Sequence, residues 1–362
     1  MACSLSVGPE SSAPLEVFDR VFGSDVCRDL HELALDHAER GGLDGSSIFY
    51  RDHSNSSLPM TPLETALDSI LREIGDNNPI VEYWSRQEYL NLDAHADIDE
   101  EELEDDGVLR YPTWGHVLYL HMERDHPAPT AVFPSRLGGW SQESAEDYFP
   151  LVFVPAVAGR VLRFPGAALH AVPKPAARWL LTPHDQQQLD ALEDENEGGF
   201  DSNDDNFMDK SEDEWDEEDE GDEEDDWIER SVILFNTWSE EGPRGVARDT
   251  GTAGALPDGI ALVEDDPNDR EQKKREEWHE QFGVGMKDLW CAPRKEWTPV
   301  QLCQEPSQEK TNSRLCVPLM GNEERRLHPH RFVQLDVVSK DIQHAALQPL
   351  RPTQVWVKSS LL

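Results

Sequence analysis

His95 and Asp97 lie two residues apart at the end of the stretch Tyr-Leu-Asn-Leu-Asp-Ala-His-Ala-Asp that begins at Tyr89. In an extended chain, residues i and i+2 share a face, so both side chains can turn toward one bound ion. His170 closes a second stretch, Gly-Arg-Val-Leu-Arg-Phe-Pro-Gly-Ala-Ala-Leu-His from Gly159, after a short strand and a Pro-Gly turn. Two imidazoles and one carboxylate make the facial donor set that holds non-haem Fe(II) and leaves the remaining positions open. Arg230 then opens the apolar stretch Arg-Ser-Val-Ile-Leu-Phe-Asn-Thr-Trp. It comes 60 residues after His170, but only 15 once an intervening acidic stretch of 45 residues is set aside. Three other histidines, His116, His121 and His126, flank the strand that follows Asp97. His116 and His121 differ by an odd number, so a strand cannot turn both inward.

These residues need strands to hold them, and the sequence supplies two kinds of element. From Pro14 to Gly75 the pattern reads as a helical lead-in. Val17, Phe18, Val21 and Phe22 repeat at helix spacing, and Cys27, Leu30, Leu33, Ala34 and His37 continue on one face behind Ser24 and Asp25. Thr61-Pro-Leu-Glu64 is a capping box with proline in the first turn, which predicts a helix through Leu67, Ile70 and Leu71. From Ile80 the segments shorten and become rich in β-branched and aromatic residues. Val81–Trp84, Tyr89–Leu92, Trp114–His121, Thr130–Phe133, Leu151–Val154, Gly159–Phe164 and Ser231–Trp238 read as strands. Helices followed by many short strands predict an α+β domain built on a β-sandwich or barrel.

The 362 residues allow one large domain with elaborations or two ordinary ones. The longest apolar runs fall far short of a bilayer span, so a membrane protein is not expected. A net charge of -42 repels phosphate backbones, and nucleic acid is not expected as a partner. The charge is concentrated in residues 185–229, which hold 24 acidic residues against the single Lys210. That stretch has too little apolar surface to fold and reads as a disordered insertion. No calcium-loop spacing appears in it. Five scattered cysteines without a Cys-x-x-Cys pair, and an N-terminus lacking a secretory pattern, point to an intracellular chain in the cytoplasm or nucleus. Residues 14–245 are thus read as one domain, with its lead-in over 14–75 and its insertion over 185–229. Residues 246–362 form an extension of uncertain fold, with a charged helix over Glu271–Phe282 and late strands over Arg331–Val338 and Gln354–Lys358.

The order His-x-Asp, then Gly-x-x-x-x-Phe-Pro-Gly-x-x-x-His, then an arginine opening an apolar strand resembles the Fe(II)/2-oxoglutarate-dependent dioxygenases, in particular their prolyl 4-hydroxylase-like branch. The resemblance covers about Val81 to Trp238. It implies a double-stranded β-helix, or jelly roll, with supporting N-terminal helices. It further implies that His95, Asp97 and His170 bind Fe(II), and that Arg230 pairs with the distal carboxylate of 2-oxoglutarate, which its planar fork suits. Tyr119 stands where similar enzymes place a tyrosine against the same carboxylate. Ser231 directly follows the arginine instead of lying two residues on, so a hydroxyl contact of the Arg-x-Ser kind is not expected from it. The implied reaction consumes O2, releases succinate and CO2 and hydroxylates a substrate, with room for ascorbate as an accessory reductant. An aspartate at position 97, in place of a small residue, argues against halogenation.

Two classes of function follow. The first is an oxygenase acting on a prolyl or other protein side chain, or on a small molecule, with basic substrates favoured by the acidic surroundings. The second is a non-catalytic relative whose acidic loop binds basic partners such as histones or ribosomal proteins.

Overall fold

Helix formation follows the caps. In the computed structural model, β1 (Glu16–Asp19) leads into α1 (Ser24–Gly41), and β2 (Ser47–Tyr50) precedes α2 (Pro62–Ile74). The predicted capping box is present at α2: the Thr61 hydroxyl accepts from the Glu64 backbone N–H (3.2 Å), and the Glu64 carboxylate accepts from that of Thr61 (2.7 Å). The structure describes residues 15–41, 45–51, 60–123, 127–138, 148–181, 229–249, 290–300, 314–320, 332–337 and 351–359. Residues 185–228 of the acidic stretch and the expected helix over Glu271–Phe282 lie outside them.

The lead-in is not wholly helical. Val17 and Phe18 belong to β1, a strand paired with β8 on one side, and bury on opposite faces as strand neighbours do. Helix-like spacing of four apolar residues was satisfied equally well by a strand and the turn after it, where Arg20 has a φ of 63°.

Eight strands form the jelly roll: β3 (Ile80–Glu88), β4 (Leu92–His95), β5 (Trp114–Met122), β6 (Thr130–Leu137), β7 (Phe149–Val154), β8 (Val161–Pro165), β9 (Ala168–Val172) and β10 (Glu229–Trp238). Glu229, read as the end of the insertion, is already the first residue of β10. One sheet has the order β8-β5-β10-β3 at its centre, the other β7-β6-β9-β4, so the chain repeatedly changes sheets. That interleaving is a double-stranded β-helix. Between the sheets lie Val117, Tyr119, Val132, Val152, Val154, Leu162, Phe164 and Val232. The opposite side of the first sheet, with Val81, Tyr83, Leu118, Ile233 and Phe235, is covered by Leu30 and Leu33 of α1 and Leu63, Leu67, Ile70 and Leu71 of α2. Each such leucine contributes about 1.5–3 kcal/mol when fully buried.

The strands β11 (Thr298–Pro299), β12 (Arg314–Pro318), β13 (Phe332–Val337) and β14 (Thr353–Ser359) pair onto these sheets. β11 joins β1, and β14 joins β7, continuing through β13 to β12. A bridge from Leu319 to Ala94, with Met320 N–H donating to the Ala94 carbonyl (3.0 Å), brings that end back to the edge strand β4. The second sheet therefore nearly closes on itself. Phe133, Leu151, Phe153, Leu169, Trp179, Leu315, Val317, Leu335 and Val355 fill its interior. β9 is buried on both faces, one toward each core, which explains why every residue of Ala168–Val172 is buried.

The acidic stretch after Asp97 winds into the helix α3 (Glu100–Asp106), capped by Asp99, whose carboxylate accepts the Glu102 backbone N–H (3.0 Å). Arg110 and Arg244 gather Asp99, Glu102 and Asp106, neutralising enough charge for the turn to wind. Among the described residues no helix is long and apolar enough to cross a membrane.

Candidate metal centre

β4 and β9 run antiparallel with His95 directly opposite His170, after a register shift that follows Leu92↔Val172. The two rings meet with centroids 4.4 Å apart. His95 Nδ1 lies 2.7 Å from the Asp93 carbonyl and His170 Nδ1 3.2 Å from the Ala168 carbonyl. A carbonyl only accepts, so both protons sit on Nδ1 and both Nε2 lone pairs face the space between the rings. Asp97, two residues beyond the end of β4, turns Oδ1 into the same space, 3.7 Å from His95 Nε2 and 3.6 Å from His170 Nε2. Adjacent ligand atoms around a metal with bonds of about 2.1 Å are about 3 Å apart, so a small contraction would close this set. Burial, and next the neighbouring His170, hold His95 down at about 4, against the opposing pull of Asp97. Its ring is neutral near pH 7, the state a metal ligand needs.

Farther along the same interior, Arg230 enters from the start of β10 and is buried at 4% exposure. Its Nη2 donates to Thr130 Oγ1 (3.0 Å), its Nε has no partner, and no carboxylate among the described residues pairs with it. Tyr119 stands beside it, with the guanidinium carbon 5.6 Å from the ring centre and the hydroxyl donating to Thr130 Oγ1 (2.7 Å). Burial raises the Tyr119 phenol and lowers the Arg230 guanidinium, each offset by the other. Thr130 is two residues from Val132, the register partner of His170, which is a step of about 7 Å along β6.

The structure thus gathers His95, Asp97 and His170 into the one group of this kind among the described residues whose ligand atoms all fall within 4.8 Å. It sets Arg230 and Tyr119 together nearby. Ser231 is buried with an unpartnered hydroxyl; the hydroxyl at the guanidinium is that of Thr130. His116 and His121 belong elsewhere. His116 stacks on Phe235 outside the barrel, and His121 shares Glu229 with His31. His126 lies outside the described residues.

Three residues escaped the sequence reading. Thr130 is one, and its short surroundings, Ala-Pro-Thr-Ala, carry no signal. Asn236 is the second: its amide donates to Asp97 Oδ2 (3.1 Å). A lone amide on the inward phase of an apolar strand is a signal that could have found it. The third is Glu82 on β3, which accepts from Trp238 Nε1 (3.3 Å) and is pushed up to about 7 by burial first and then by the charge of Asp97.

No family model matches the chain, and no curated protein sequence does. Solved structures similar to it include a prolyl-4-hydroxylase from Pseudomonas putida, at 11% identity over 63% of this chain and 88% of that one, with a TM-score of 0.32. HygX from Streptomyces hygroscopicus, with nickel and 2-oxoglutarate bound, is 14% identical over 63% and 84%, with a TM-score of 0.30. The non-haem α-ketoglutarate-dependent epimerase SnoN of nogalamycin biosynthesis is 13% identical over 69% and 91%, with a TM-score of 0.31. The likeness is one of fold.

Proposed function

We propose that the chain is an Fe(II)- and 2-oxoglutarate-dependent dioxygenase that hydroxylates a protein side chain or a small molecule. The observation that carries this reading is the buried guanidinium of Arg230, which has no carboxylate partner among the described residues and shares an interior with the His95–Asp97–His170 group. Burying an unpaired cation is costly, and the cost is offset when an anionic ligand supplies the missing partner.

His95 and His170 offer Nε2 and Asp97 offers Oδ1; imidazole and carboxylate donors suit Fe(II). The chemistry that Fe(II) supplies when bound is O2 activation coupled to decarboxylation of 2-oxoglutarate, giving succinate, CO2 and a hydroxylated C–H bond. Arg230 takes the distal carboxylate of 2-oxoglutarate in a charge-assisted pair. Thr130 accepts from both Arg230 and Tyr119, which leaves its own hydroxyl proton to donate to that carboxylate. Val132, Val152 and Val154 line the interior and exclude water from it. On the side of Asp97, the acidic α3 favours a cationic substrate, a basic protein segment among them.

An anaerobic titration with Fe(II) and 2-oxoglutarate tests this. The wild type should develop a visible charge-transfer band, and Asp97→Ala and Arg230→Ala should not at the same concentrations. Absence of both the band and 2-oxoglutarate turnover in the wild type would sink the enzyme reading in favour of a non-catalytic binder of basic partners.

A further inference from the structure

We infer that Asn236 is a positioning residue that fixes the Asp97 carboxylate with a single oxygen facing the two histidines; this rests on the reading of His95, Asp97 and His170 as a metal site. Asp97 lies beyond the last ladder pair of β4, so no strand hydrogen bond holds it. Among the described residues, the one hydrogen bond to its carboxylate is the amide of Asn236, at Oδ2. With Oδ2 so engaged, Oδ1 is left almost equidistant from the two imidazoles, at 3.7 and 3.6 Å. A carboxylate free to rotate about χ2 would present either oxygen, or both, and would give up the fixed single-point ligation that keeps neighbouring positions open.

The residue type matters as much as the contact. Asn236 is 2% exposed and stands in register with Glu82 on one side and Gly115 on the other. Aspartate at 236 would set a second carboxylate against Asp97, and an apolar side chain would leave Oδ2 without a donor. A neutral amide donates to Asp97 without adding charge. The absence of a side chain at Gly115 leaves the space beside it to Phe164, whose ring packs on His170 with centroids 5.0 Å apart. The carboxylate and one imidazole are therefore each braced from the first sheet, across the interior from the strands that carry the histidines.

Two near-isosteric variants, Asn236→Leu and Asn236→Asp, test the inference. The readouts are Co(II) affinity of the metal-free protein by calorimetry, the Co(II) visible spectrum, and thermal melting without metal. The expected result is a loss of Co(II) affinity of about 10- to 100-fold with an altered spectrum, while metal-free melting of at least one variant stays near that of the wild type. Wild-type affinity and spectrum in a folded variant would overturn the role of Asn236 and leave the metal site standing. Collapse of metal-free melting in both variants would likewise overturn it, marking Asn236 as a residue of the core. Failure of the wild type itself to bind Co(II) or Fe(II) would remove the metal site, and the inference with it.

Discussion

Phe164 lies against His170, rings 5.0 Å apart at 49°, and reaches that place because Gly115 on the neighbouring strand has no side chain. A Cβ at position 115 would stand 2.7 Å from Cε2 of the Phe164 ring. The glycine is therefore a spacing element for the His170 imidazole, although its own backbone is ordinary.

Gly115→Ala should push the Phe164 ring toward His170. Overpacking of this kind costs about 1–3 kcal/mol, and the displaced imidazole should lower metal affinity beyond what the stability loss explains. Thermal melting and Co(II) titration of Gly115→Ala, with Phe164→Leu added to relieve the clash, separate the two effects. Unchanged affinity in the single variant would mean that the ring yields away from the histidine.

Each of His95→Ala, Asp97→Ala and His170→Ala should abolish metal-dependent 2-oxoglutarate decarboxylation, because two ligands hold a divalent ion poorly in an otherwise open site. Removing metal from the wild type with a chelator should reproduce the loss, and adding Fe(II) back should reverse it only in the wild type. Full activity in any one variant would break the assignment.

Arg230→Met offers a test of opposite signs. Without ligand, the variant should be as stable as the wild type or more so, by on the order of 1–2 kcal/mol, since it no longer buries an unpaired cation. Its affinity for 2-oxoglutarate should fall roughly ten- to hundred-fold, as expected for loss of a charge-assisted pair of about 1.5–3 kcal/mol, with metal affinity nearly unchanged. A variant that melts far below the wild type would instead mark Arg230 as structural.

Stability should also depend on pH through Glu64. Burial pushes its carboxyl from 4.5 up to about 7, against the opposing hydrogen bond from Thr61. The folded state then binds more protons than the unfolded state between those values. Its contribution to stability is complete below about 4.5 and is lost as the pH rises through about 7. Glu64→Gln keeps an oxygen to accept the Thr61 N–H but cannot ionise, so it should be the more stable form at pH 8 by on the order of 1–3 kcal/mol, and less favoured at pH 5. Parallel melting curves for the two proteins across that range would refute the assignment.

The residues of the candidate site were legible because their information is local. His95 and Asp97 declare themselves by a two-residue spacing, and His170 and Arg230 by their places beside recognisable strands. Thr130 and Asn236 were hidden for the opposite reason: each acquires its role from a register set by strands far away in sequence, β6 against β9 and β10 between β5 and β3. β1 was misread because two adjacent apolar residues serve a short strand buried on both faces as well as a helix face. The pairing of β12 and β14 onto the second sheet was not readable from short segments separated by long polar stretches, although two of the late strands were. Asp99 escaped as a helix cap because its value depends on Arg110 and Arg244, which join it only through tertiary contact.

The return of the second sheet to β4 has a consequence for how this protein comes to exist. Ala94, beside His95, meets Leu319, and Phe153 meets Thr353, so two strand edges of the second sheet wait for partners made some two hundred residues later. At synthesis rates of about 5–20 residues per second, that is a delay of roughly 10–45 s. During this interval the β4 and β7 edges are unpaired and the face of the sheet that later meets Leu315, Val317 and Leu335 is uncovered. Long-range pairing of this kind also slows folding once all the strands are present. The nascent chain therefore passes through a period in which the second sheet is open to aggregation or to a chaperone.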